Sequence, residues 1–165
     1  MATASGHTTA ILASKVKGTA VYMAGNPKGA PLALLHNLKH NRVLHERVVL
    51  LTMVTAEDPH VAADQRVQVE SFSDGFHRVT ARFGFMEAPE ICTVLEACRA
   101  RGIEIRAREA TFFLSRETVV ASQKTPMAHW RKRLFAVLAR NAQSATTFFG
   151  LPANRVVELG MQVEL

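Results

Sequence analysis

The chain has 165 residues, 48% of them hydrophobic, and 20 Lys and Arg against 14 Asp and Glu, for a formal charge of +6. That length supports one substantial core rather than two. The longest apolar stretch, Val48 to Ala56, is broken by threonines and falls far short of the ~20 residues of a membrane helix, so no membrane span is expected.

The positive charge is dispersed. Only Arg131-Lys132-Arg133 forms a cluster, and one Tyr and one Trp offer little for base stacking, so nucleic acid is not an expected partner. The N-terminus lacks the basic start of a secretion signal. Cys92 and Cys98, six apart in an expected helix, stand ~120° apart around its axis and ~9 Å along it, which points to free thiols in a reducing cytosol.

Residues 1–17 read as a disordered arm or an artificial boundary, and 18–165 as a single cytosolic domain. Gly18 to Ala24 is a short apolar strand, stopped by the turn formers of "GNPKGAP". A helix starts near Pro31, turns Leu34, Leu35 and Leu38 inward, and ends at Asn41. From Arg47, "RVVLLTMVT" is too continuously apolar for a half-exposed strand and predicts one covered on both faces. "RVQVE" and "FHRVTARFGF" flank Ser73-Asp74-Gly75, which predicts a hairpin with His77, Val79, Ala81, Phe83 and Phe85 on its core face.

Ala88 to Arg101 has the spacing of a helix, burying Ile91, Val94, Leu95 and Cys98 and stopped by Gly102. Ile103, Ile105 and Ala107 then alternate with charged residues, predicting a strand that enters the core with "TFFLS". Thr125-Pro126 opens an expected long helix to about Phe149, and "VVELGMQVEL" predicts a half-buried terminal strand. Interleaved strands and helices define an α/β fold: a mixed sheet with parallel crossovers plus one antiparallel hairpin, helices packed on the sheet.

Three places invite a functional reading. His36 and His40 have the one-turn spacing of paired zinc ligands, but the residue after His36 is Asn37 rather than the glutamate a metalloprotease needs, and His45 follows the helix end. A polar helix surface is the weightier reading, and no metal is assigned. The "GNPKG" turn presents backbone N-H groups to an anion through Gly25, Asn26, Lys28 and Gly29, against the plainer reading of an ordinary strand-to-helix turn. Arg131 and Arg133 beside Trp130 suit an acidic partner or anionic headgroups, against a solvated helix face. Arg116 and Glu117 read as a strand-end couple. No nucleophile and base can be paired, so no catalytic residue, enzyme activity or cofactor is expected.

"GTAVYM", "ALLHNLKHNRVLHERVVLLT", "FGFMEAPE", "FFLSRET" and "LFAVLARNAQSATTFFGLPANRVVELGMQVEL", in this order from Gly18 to Leu165, resemble the C-terminal cytoplasmic region of Kup-type (KUP/HAK/KT) potassium uptake transporters. The resemblance implies a regulatory or assembly domain of a proton-coupled potassium importer. It would lie on the cytoplasmic side of the cell membrane, with the membrane domain, absent from this chain, carrying the ion path. It makes His36, Asn37, His40, Asn41 and His45 candidates for a contact surface toward that domain, a regulator, or a second copy in a homodimer. The architecture also resembles nucleotide-binding universal-stress-type domains, and related importers respond to cyclic di-AMP. A nucleotide sensor is therefore the alternative, seated where Gly25 to Gly29 meet the end of the central strand.

Overall fold

The computed structural model describes residues 13–120 and 144–164, with backbone alone over 116–120 and 161–164. Among the described residues six strands form one sheet: β1 (Ser14–Ala24), β2 (Val43–Thr55), β3 (Val67–Ser71), β4 (Phe76–Phe83), β5 (Thr111–Val120) and β6 (Val156–Glu164), in spatial order β3-β4-β2-β1-β5-β6. Only β3 and β4 are antiparallel; every other neighbouring pair is parallel. The expected α/β class and mixed sheet are both present.

Strand alternation explains why the middle of the sheet is apolar on both sides. Val21, Val49 and Leu51 face α2 (Ile91–Ala100), whose Ile91, Val94, Leu95 and Cys98 form the buried stripe that the sequence spacing predicts. Ala20, Tyr22 and Val48 face the opposite layer, where Ala33 and Leu34 of α1 (Leu32–His36) pack with Phe113. Arg42, at φ 53°, ends the π-helical turn Asn37–Asn41 that continues α1.

The hairpin forms as its turn chemistry requires. Asp74 and Gly75 have φ of 62° and 81°, and a Cβ on Gly75 would lie 2.3 Å from the Glu46 carbonyl oxygen, so the turn needs glycine for both its backbone angle and its contact with β2.

Several boundaries differ from expectation. β1 begins at Ser14, within the stretch expected to be an arm, because 14–16 pair with 43–45 of β2. That pairing also starts β2 at Val43 rather than Arg47. Ile103 and Ile105 are buried in alternation, yet this segment pairs with no strand and a turn separates it from β5, which starts at Thr111. Most of the expected 125–149 helix lies outside the described residues. Its last turn is a separate helix, α3 (Ala145–Phe148), because Ser144 has extended angles, φ -66° and ψ 143°, and its hydroxyl accepts from Thr147 N-H as an N-cap.

Candidate functional site

In residues 36–41 the asparagines, not the histidines, hold the structure. Asn37 is 3% exposed; its Nδ2 donates to the Tyr22 hydroxyl at 2.9 Å and to the Val43 carbonyl at 2.9 Å, while its Oδ1 accepts from Asn41 Nδ2 at 2.9 Å. One amide thus ties the helical turn to β1 and to the start of β2. Tyr22 stacks on Phe113, ring centroids 4.6 Å apart, which extends the tie to β5. Burial raises the Tyr22 phenol pKa, partly countered by the Asn37 hydrogen bond, so the group stays a neutral hydroxyl near pH 7.

Burial corrects the grouping of Asn37 with surface residues: its polar atoms face inward. His36 and His40 lie side by side outside this network, ring centroids 5.7 Å apart. His45 sits on β2, where its ring meets that of Phe113 edge to face with centroids 6.0 Å apart. Its pKa is lowered by burial, which disfavours the imidazolium. Among the described residues no group of three His, Cys, Asp or Glu side chains is arranged to hold a metal. Arg131 and Arg133 lie outside the described residues, as do the side chains of Arg116 and Glu117.

A pocket of about 640 Å³ opens where β1 and β5 part company. These strands pair only over Ala20–Tyr22 with Thr111–Phe113, whereas β1 runs on to Ala24 and β5 continues with β6 to Val120. Chain order reverses direction across the sheet at this point, the topological switch of doubly wound folds, where a crevice opens beyond the strand ends. Met23, Met53 and Leu114 supply apolar side chains from three strands, and Leu32 of α1 and Phe149, just past the end of α3, supply more. Gly25, Asn26 and Lys28 line it with Ser115; Gly29, at φ +98°, turns the loop without lining it. Asn26 Oδ1 accepts from Lys28 N-H at 2.8 Å and holds the loop's shape.

The sequence reading placed the 25–29 loop beside the end of β2 but missed Leu114, Ser115 and Phe149. Their proximity depends on β5 lying next to β1, which no local pattern reveals. Strand-end position was the usable signal.

A second loop at this end of the sheet, following β4, is "FGFME". Glu87 accepts from Gly84 N-H at 2.7 Å and from Val61 N-H at 3.2 Å, and pairs with Arg66, whose Nη2 lies 2.6 Å away. The Arg66 guanidinium also lies over the Phe83 ring. Phe85, expected inside, projects outward at 60% exposure because β4 ends at Phe83 and the loop turns away to bond Asp58. The Arg66 hydrogen bond, then the Gly84 N-H, hold the Glu87 carboxyl at about 2, below its ordinary 4.5. A depressed pKa contributes stability above the ordinary value and loses it as pH falls toward the folded one. The Glu87→Gln chain should therefore melt below wild type at pH 7, with the gap closing between pH 4.5 and 2; a gap constant with pH would refute this role.

Fold and crevice define an α/β domain of the doubly wound class, with its ligand-sized opening at the switch point. The family model described as K+ potassium transporter C-terminal domain matches residues 17–165, and the chain belongs to that family. It is 56% identical to the probable potassium transport system protein Kup of Myxococcus xanthus, over 92% of this chain and 23% of that protein. It is 54% identical to the probable potassium transport system protein Kup 1 of Paramagnetospirillum magneticum, over 92% of this chain and 24% of the relative. The chain thus spans about a quarter of the length of these relatives. No solved structure matches it.

Proposed function

We propose that this domain is the regulatory and assembly module of a Kup-type potassium uptake transporter, a potassium:proton symporter. It works from the cytoplasmic side of the cell membrane and does not itself conduct. The observation that carries the reading is the family match along 17–165, in a chain where no described helix is long and apolar enough to cross a membrane. The domain packs against the membrane-embedded part and biases it, which requires different contact energies in two transporter states. His36, His40, Asn41, the exposed Leu32, and Leu35, which the helical spacing placed inward but which is 48% exposed, supply one contact face, with Arg131 and Arg133 a basic element for the same purpose.

Association in trans tests the packing. The Myxococcus xanthus relative, shortened by the region matching this chain, should retain the purified chain in detergent and lose it when His36 and Leu35 are both changed to Glu. No retention by the shortened transporter contradicts the reading.

A second reading, a nucleotide sensor for cyclic di-AMP or an adenine nucleotide, is favoured by the pocket at the switch point, whose volume suits a small molecule. Apolar walls suit a flat base, and Lys28 gives a phosphate its countercharge. Cyclic di-AMP, ATP or AMP at millimolar concentration should raise the melting temperature, and Ser115→Trp should abolish the rise by filling the pocket; no shift with any of the three ends this reading.

A further inference from the structure

Exposed charges are segregated between the two ends of the central strands. Where β1 and β2 begin, β1 exposes Lys15 and Lys17, and the turn before β2 exposes Lys39 and Arg42. These residues share one corner, because Ser14 N-H donates to the Arg42 carbonyl at 2.8 Å and Lys15 stands opposite Leu44 in the strand register. Glu46, opposite the register shift between Val16 and Thr19, is the exposed carboxylate beside them. Among the described residues none of the five is in an ion pair. At the other end, the loops that leave β2 and β4 expose Glu57, Asp58, Asp64 and Glu90, against Lys28 and Arg82. The 13 residues of β2 put ~40 Å between these ends, several Debye lengths of ~8 Å at physiological salt, so a charged surface acts on one end at a time.

We propose that the corner formed by Lys15, Lys17, Lys39 and Arg42 rests on the anionic phospholipid headgroups of the bilayer that holds the transporter. Its position suits that contact. The family is a C-terminal domain and the chain spans about a quarter of its Kup relatives, so in those proteins most of the polypeptide precedes the domain and joins it at the start of β1, beside this corner. Charge selects lipid over protein as the occupant: cytoplasmic loops of membrane proteins are themselves rich in Lys and Arg and repel a basic surface, whereas headgroup phosphates complement it. The cations need break no ion pair to meet phosphate. His40 lies between Lys39 and Arg42, so the corner continues the contact face proposed above: the face meets the membrane-embedded part and the corner meets the lipid around it. The acidic end is then held away from the surface, and the pocket at the end of β1 opens toward the cytosol.

This rests on the membrane-side reading above, and its test is separable from the trans association, which is done in detergent without a bilayer. The purified chain should sediment with vesicles of phosphatidylglycerol and phosphatidylcholine at millimolar lipid and physiological salt, and stay in solution with phosphatidylcholine alone. Each basic residue close to an anionic surface raises partitioning about fivefold, so Lys17→Ala with Lys39→Ala should weaken binding to the anionic vesicles about 30-fold. Lys28→Ala, an exposed lysine at the opposite end, should bind as wild type does. No preference for the anionic vesicles, or equal binding by the double variant and wild type, overturns the lipid contact; the latter result would place the binding on another basic segment. Retention by the shortened transporter would in either case still support the assembly role.

Discussion

Replacing Asn37 with alanine is expected to destabilise the domain by about 2–4 kcal/mol, because the amide serves three partners from one buried position. The substitution leaves the Val43 carbonyl and the buried Tyr22 hydroxyl without that donor, and Asn41 Nδ2 without that acceptor. Tyr22 is 0% exposed, so water cannot replace the lost bond without opening the layer between α1 and the sheet. Asn37→Asp should be at least as damaging, since it keeps an acceptor, removes both donors and adds a charge in a buried site. Asn41→Ala removes only one of the three bonds, at the exposed end, and should cost about 1 kcal/mol or less. Urea unfolding of the three variants checks the ordering, and a loss below about 1 kcal/mol for Asn37→Ala would show that the network is not what holds α1 to β1 and β2.

Gly84→Ala carries the second large expectation, a loss of about 3 kcal/mol, by a different mechanism. A Cβ at Gly84 would lie 2.0 Å from the Pro59 carbonyl oxygen and 2.6 Å from the His60 nitrogen, both backbone atoms that cannot swing aside as a side-chain tip can. The 56–61 and 84–87 segments would have to separate. That also strains the Gly84 N-H bond to Glu87 and the Glu87 pair with Arg66. Gly25→Ala is the control, because nothing lies within 4 Å of a Cβ there and its stability should stay within about 0.5 kcal/mol of wild type. Equal stability of the two variants would contradict the close approach at Pro59.

Where local chemistry decides structure, the sequence was readable. Asp74-Gly75 marked the hairpin, and Ile91, Val94, Leu95 and Cys98 marked the buried side of α2, because turn angles and helical period are properties of neighbouring residues. Ile103 and Ile105 showed the limit: alternate burial has the period of a strand whether or not another strand is present to pair with it. Residues 36–45 misled for a related reason. Three histidines suggest a surface, while the structural work is done by Asn37, whose partners Tyr22 and Val43 are brought to it by the packing of α1 on β1. The 25–29 loop was a weak candidate by composition. The pocket beside it exists because β5 pairs with β1 for three residues and then diverges, a feature of strand order rather than of any motif.

Rubidium influx into potassium-starved cells is the most direct measurement of whether this domain controls a transporter. The Myxococcus xanthus Kup protein would be compared intact and with the region matching 17–165 removed, at equal amounts in the membrane. The proposed role predicts that removal lowers influx or abolishes its response to potassium supply, and that restoring the region recovers it. Identical influx and an identical response in the two forms would contradict it.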